Sequence, residues 1–167
     1  VDTVAKWVSY IERAFLVIRL ERFDYKLKQR VKAPKKFYCV DTGLAKVAGF
    51  HFSKNTGNTM ENVVAIDLQR WKSRQYGRDV YYWKDHQQRE VDFILKNGPE
   101  VQQLVQVTYA SDRREVPERE LTSLGIASKA LRCKNLLVIT WDYDGEERLD
   151  GKIVRFIPLW KWLLEQT

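Results

Sequence analysis

The feature that most limits the fold is a helical segment caught between two strand segments. Residues 101–109 alternate as a strand, and residues 136–141 are an almost wholly apolar run of the buried-strand kind. Between them, residues 117–132 start with Pro at an N1-like position and carry acidic residues in the first turn. A helical connection of that length cannot be a hairpin, so it predicts a parallel crossover within a sheet covered by helices. Upstream, residues 58–71 show helical periodicity, and strands are expected over 79–83 and 90–96, with Asn97-Gly98-Pro99 turning the chain into the 101–109 strand. The order over residues 58–141 is therefore α-β-β-β-α-β, and the expected class is α/β with a mixed sheet flanked by helices. An acidic turn at 142–145, a strand at 152–157 and a closing helix from Pro158 complete the C-terminal side.

Composition agrees with a packed domain. The 167 residues are 44% hydrophobic and 31% charged, with 8 Gly and 4 Pro, which excludes disordered and fibrous classes. The longest apolar stretches fall far short of the roughly 20 residues needed to span a bilayer, so no membrane partner is expected. Cys39 and Cys133 stand far apart with no CxxC spacing, which argues against a disulfide framework or zinc cluster and favours a reducing, cytoplasmic compartment. The opening Val1-Asp2-Thr3 has neither an initiator Met nor a signal-peptide pattern, and the expectation is a segment cut from a longer polypeptide.

The N-terminal part reads differently. Val4, Trp7, Val8 and Ile11 fall at i, i+3, i+4 and i+7, an amphipathic helix over residues 3–13. Residues 15–20 and 23–27 then read as two short strands, so residues 1–40 are expected to be a helix plus a basic β-hairpin, the second half of a winged helix, with an α/β domain over 41–167. A short helical piece ending at Gly49 and a loop at 50–57 join the two. The net charge of +7 is concentrated here: residues 1–40 hold ten Lys and Arg against four Asp and Glu. Arg22, Lys26, Lys28, Arg30, Lys32, Lys35 and Lys36 interleave with Phe23, Tyr25 and Leu27 at a strand's period of two. That pattern suits a nucleic-acid backbone, and equally a solvated edge whose lysines deter pairing. The sequence pI near 9.4 points the same way.

Three polar residues stand out against apolar surroundings. Glu61 shares its helix face with Val64, Ala65 and Leu68, so its carboxylate borders the core and needs a partner. Asn58 at the N-cap with Glu61 at N3 would make a capping box, an alternative reason for this acid. Asp92 is a poor strand former inside Glu90-Val91-Asp92-Phe93-Ile94-Leu95, and alternation places it with Glu90 and Ile94, opposite Val91, Phe93 and Leu95. Gln106 interrupts an otherwise mostly apolar strand and is expected beside Asp92. His51 and His86 are isolated and lack metal-ligand spacing. No GxxxxGK[ST] run occurs, so no ATP site of the P-loop kind lies in these residues.

The α-β-β-β-α-β order, with a helix carboxylate, a strand Asp and a polar-Val-polar strand 14 residues later, resembles the PD-(D/E)XK restriction-endonuclease-like fold. More narrowly, Tyr38-Cys39-Val40-Asp41-Thr42-Gly43-Leu44, Glu61-Asn62-Val63-Val64, Tyr81-Tyr82-Trp83, Glu90-Val91-Asp92-Phe93 and the 136–141 strand are similar to archaeal and bacterial AAA-type ATPases. In those proteins a P-loop ATPase precedes a winged helix and a domain of this kind. The resemblance covers nearly the whole chain. It implies Glu61, Asp92 and the acid of an E-x-K motif as catalytic and Mg²⁺-binding positions, because hard cations take oxygen ligands and activate water. Gln106-Val107-Thr108 stands where Glu-x-Lys belongs, so the third acid and the lysine are missing. Arg113, Arg114 or Lys129 are the basic side chains expected to substitute.

The expected function is a nucleic-acid-binding C-terminal module of a P-loop ATPase, with an eroded nuclease-like domain. Its partners would be DNA and the ATPase part of the same polypeptide. The alternatives are an active Mg²⁺-dependent DNA nuclease and a protein-interaction or homo-oligomerisation platform for the ATPase.

Overall fold

The computed structural model describes residues 2–47 and 56–165. The end of the expected helical piece at 48–49, the loop over 50–55 and His51 lie outside the described residues.

The chain runs α1 (Asp2–Arg13), β1 (Val17–Glu21), α2 (Leu27–Lys32), β2 (Lys35–Cys39), α3 (Thr42–Val47), α4 (Thr56–Ser73), β3 (Arg78–Lys84), β4 (Glu90–Asn97), β5 (Glu100–Val107), α5 (Glu118–Leu131), β6 (Leu136–Thr140), β7 (Gly145–Leu149), β8 (Lys152–Pro158) and α6 (Leu159–Glu165). Two sheets result. One is six-stranded in the order β3-β4-β5-β6-β8-β7, and the other is the antiparallel pair β1-β2.

The large sheet follows from the crossover. β3, β4 and β5 form an antiparallel meander, α5 carries the chain over one face, and β6 then pairs parallel to β5, with Gln106 opposite Val138. β8 adds parallel to β6, and β7 closes the edge antiparallel to β8. This is a mixed α/β sheet with the expected α-β-β-β-α-β order.

Each face has its own apolar core. Val91, Ile94, Leu104, Val138 and Phe156 point toward Leu121, Leu124, Ala127 and Leu131 of α5. Phe93, Leu95, Val105, Leu137 and Ile139 point the other way, onto Met60, Val64, Ala65 and Leu68 of α4 and Trp162 of α6. The i, i+4, i+5, i+8 spacing of the α4 set is the apolar stripe that a helix laid on a sheet needs. Tyr38 and Leu20 of the small sheet join this second core.

The N-terminal segment departs from the sequence pattern at one element. β1 has its partner at Lys35–Cys39, from Val17 opposite Cys39 to Glu21 opposite Lys35, and the expected strand at 23–27 does not form. Phe23 turns inward instead, its N–H donating to the Tyr82 carbonyl at 2.7 Å. The Asp24 carboxylate then accepts from the Lys26 N–H at 2.8 Å, an Asx-type turn that starts α2. Lys, Gln and Arg favour helix over strand, and the helix stops at Ala33 because Pro34 forbids the α conformation before it. An apparent period of two across 22–36 was thus a turn followed by one and a half helical turns.

Candidate functional site: an acidic cleft around Lys36

Glu61, Asp92 and Gln106 line one cleft of about 960 Å³ at the end of β4 and β5, bordered by α4 and α5. The convergence expected of residues far apart in the sequence is therefore present. Its local causes differ from the sequence reading in two respects.

First, α4 begins at Thr56, so Asn58 is inside the helix and the capping-box account of Glu61 fails. Glu61 has partners from elsewhere: its Oε1 accepts from the Tyr38 hydroxyl at 2.6 Å and from the Lys36 ammonium at 2.9 Å. Second, β4 carries a bulge. Tyr81 pairs with Ile94 and Trp83 with Val91, so Asp92 and Phe93 together oppose the single residue Tyr82. Val91 and Ile94 consequently face α5 together, and Asp92 is released from the simple alternation that grouped it with Ile94. It meets Lys36 and Glu61 in the layer that Phe93 also faces. Bulges commonly re-aim a side chain beside a functional cleft.

Asp92 uses both oxygens. Oδ2 accepts from the Val107 N–H at 3.0 Å, and Oδ1 faces the Lys36 ammonium at 3.3 Å. The same ammonium reaches Glu90 Oε1 at 2.6 Å. One cation from β2 is thus held by three carboxylates from α4 and β4. Lys84 supports Glu90 from the neighbouring strand at 3.0 Å.

The electrostatics follow from crowding and burial. Desolvation would lower the Lys36 pKa, but the charges of Asp92, Glu61 and Glu90 outweigh it, so the ammonium is held protonated well above the ordinary lysine value. Burial, reinforced by the Glu61 charge, pushes the Asp92 carboxyl up to about 7 against the opposing pull of Lys36 and the Val107 N–H. Burial acts to raise Glu90 as well, yet the hydrogen bonds and charges of Lys36 and Lys84 hold it below the usual range. Burial and the Glu61 carboxylate raise the Tyr38 phenol, which stays a neutral donor.

The cation recorded beside Glu61 and Asp92 is Lys36, and Arg113, Arg114 and Lys129 are paired elsewhere. Arg113 is engaged by Glu118 and Glu147, Arg114 lies near Asp112, and Lys129 bonds Asp150. Lys36 was grouped by sequence with the basic stretch, and no local pattern could reveal a partner 25 or 56 residues away. Among the others of that group, Arg30 lies over the Tyr81 ring and near Glu21, Lys35 donates to the carbonyl of Val31 at 3.2 Å, and Arg22 bridges to Tyr82 through its backbone. Lys26, Lys28 and Lys32 are exposed.

Gln106 is buried in the cleft, and its Oε1 has no hydrogen-bond partner among the described residues. Glu120 of α5 is a lining residue that sequence reasoning missed. Burial raises its carboxyl, opposed by a hydrogen bond with Thr108, and its Oε2 also lacks a partner. Its signal was available, since Glu120 immediately precedes the core residue Leu121 on a helix packed against the sheet.

Residues 56–162 match the model of a domain of unknown function, DUF4143, and residues 1–55 match that of a second one, DUF8612. The chain belongs to the DUF4143 family. DUF4143 domains are often found C-terminal to AAA ATPases, which is compatible with the resemblance drawn from the motifs. An uncharacterized protein of Methanocaldococcus jannaschii is 31% identical over 169 residues, covering 98% of this chain and 36% of that protein. An uncharacterized protein of Haemophilus influenzae is 30% identical over 163 residues, covering 98% of this chain and 37% of its own length. The chain thus spans little more than a third of the curated relatives it matches. No solved structure matches.

In this DUF4143 domain the donor set does not fit the Mg²⁺ that the nuclease resemblance implies. The space between Glu61, Glu90 and Asp92 holds an ammonium, one Asp92 oxygen is committed to a backbone N–H, and the third motif supplies a neutral amide and a hydroxyl. Among the described residues no helix is long and apolar enough to cross a membrane.

Proposed function

We propose that this chain is a nucleic-acid-binding module attached C-terminally to a P-loop ATPase, with a nuclease-like sheet serving as scaffold rather than as catalyst. The observation that carries the reading is α2 and its approach: Lys26, Lys28 and Lys32 are exposed, Lys28 and Lys32 sit one turn apart, and no carboxylate pairs with them among the described residues. Lys6 and Arg13 on α1 are exposed as well. Unpaired exposed lysines on one short element are what phosphate contacts require, since each neutralised phosphate releases counterions. The cleft, with its missing E-x-K residues, supports the non-catalytic half of the reading.

Binding of a fluorescent DNA duplex, measured by anisotropy against salt, tests it. Three lysine–phosphate contacts give a log–log slope of about −3. Replacing Lys28 and Lys32 with Ala should flatten that slope by about 2 while leaving the fold intact. A salt-independent affinity would remove the nucleic-acid reading, and DNA cleavage by the unaltered chain in Mg²⁺ or Mn²⁺ would make the domain an enzyme.

A further inference from the structure

We propose that the α5 side of this cleft is a binding site for a guanidinium group, held between the side-chain carbonyl of Gln106 and the carboxylate of Glu120. The inference is independent of the α2 lysines and leaves the Lys36 cluster as it stands.

Three observations converge. The first is a pair of unsatisfied acceptors. Leu104 packs toward α5 while Val105 and Val107 pack toward α4, so alternation sends Gln106 to the α5 side, away from the layer in which Lys36 meets Glu61 and Asp92. There Gln106 is only 6% exposed, and its Oε1 has no donor among the described residues. Glu120 of α5 lines the same cleft; Thr108 reaches its carboxyl by a hydrogen bond, but Oε2 is also buried without a donor. Buried acceptors are normally satisfied, so two orphans in one cavity call for donors brought by a ligand. The second observation is the sign of the charge. Glu61, Glu90, Asp92 and Glu120 line the cleft together with Arg89 and Arg119, and Arg89 is engaged by Asp85. Lys36 answers the first three acids and leaves Glu120, on which Arg119 acts through its charge alone. The donor that fits is therefore cationic, and a phosphate backbone is disfavoured. The third is an aromatic wall. Tyr109 borders the cleft just beyond β5 and is 50% exposed, its ring 5.4 Å from that of Trp141, which is 46% exposed just beyond β6. Such a pair offers an open face to a flat cation.

A guanidinium meets the three requirements together. Its coplanar N–H groups diverge, so one edge serves the Glu120 carboxylate while another N–H donates to Gln106, and its plane stacks on the Tyr109 ring. An ammonium radiates its donors from a single atom and has no plane to stack. The same group is carried by an arginine residue of a polypeptide and by small free guanidines, and the test separates these sources.

The test is isothermal titration calorimetry of the 167-residue chain with N-acetylarginine amide, agmatine and N-acetyllysine amide. The guanidines should bind with a Kd of about 1 mM or tighter, and the lysine compound at least about tenfold more weakly. Tighter binding of N-acetylarginine amide supports an arginine residue of a polypeptide as the natural source, and tighter binding of agmatine supports a small free guanidine. Gln106→Met removes the orphan carbonyl and Glu120→Gln removes the charge, and each should weaken guanidine binding at least about tenfold. In urea the Gln106→Met chain should be no less stable than the unaltered one, because the acceptor it loses is unpaired. Binding by neither guanidine, equal binding of the lysine compound, or full affinity in either variant overturns the proposal. So does a Gln106→Met chain that is less stable or does not fold, since the carbonyl would then have a partner within the fold.

Discussion

The six-stranded sheet and the N-terminal segment solve the problem of staying ordered in opposite ways. In the sheet, Phe93, Ile94, Leu104, Val105, Ile139 and Phe156 are wholly buried between helices. In the segment before α4, Trp7 is 62% exposed, Phe15 83% and Val47 87%. Burial of apolar area therefore holds the first region throughout, whereas in the second it is confined to a few side chains such as Leu20, Phe23, Tyr38 and Ala45. To these the second adds a short set of directional contacts: Lys36 and Tyr38 on Glu61, the paired hydrogen bonds of Asn62 with the Cys39 backbone, the Tyr82 hydroxyl on the Pro34 carbonyl, and the Phe23 backbone on Tyr82. Apolar cores tolerate shape changes and fail by cavity formation, whereas such contacts fail singly when one partner is lost.

The comparison can be broken most severely in the sheet. Phe93→Ala should cost about 3–5 kcal/mol in urea denaturation, whereas Trp7→Ala, made in the exposed helix, should stay within about 0.5 kcal/mol. Equal losses would show that the segment has a core of its own. Asn62→Ala should come next, at about 2 kcal/mol, because it strands a buried N–H and C=O of Cys39 together. Its signature is selective: proteolysis within residues 2–47 should accelerate before the sheet loses hydrogen-exchange protection.

A further effect is a dependence on pH. Asp92 has its folded pKa raised toward about 7 by burial and by the Glu61 charge, so its contribution to stability is fully present below the unfolded value and is lost as pH rises through the folded one. Stability should therefore decline between about pH 4 and 7, by at most roughly 1.4 kcal/mol per pH unit, and Asp92→Asn should flatten that limb. Glu90, whose pKa is lowered, acts in the opposite sense and only in more acid solution, as its Lys36 and Lys84 contacts are lost. A decline unchanged in Asp92→Asn would place the titration elsewhere.

How much of this was legible beforehand depends on whether the information was local. The α5 crossover, the three-strand meander and the apolar β6 run announce themselves by periodicity, and the structure follows them to within two residues at most ends. β7 went unseen because Gly145-Glu146-Glu147-Arg148-Leu149 is a polar edge strand with no apolar alternation. Yet its signal was present: Asp150-Gly151 joins Leu149 to Lys152 as a two-residue turn with φ of 48° and 77°, the preferred chemistry of a hairpin loop. Glu61 and Asp92 were legible as acids out of place. Their cation was not, because Lys36 sits in a lysine-rich stretch where nothing distinguishes one ammonium from the next, and only the β1–β2 register brings it to the cleft.

The irregularity in β4 has a bearing on how such a strand can change over time. Because Asp92 shares one opposing position with Phe93, it behaves as an inserted letter rather than a replaced one. Deleting it would leave Val91 and Ile94 on the α5 side and Phe93 and Leu95 on the α4 side, whereas a deletion in a regular strand inverts every residue beyond it. The acid can thus be gained or shed by a lineage without rewriting the hydrophobic text on either side.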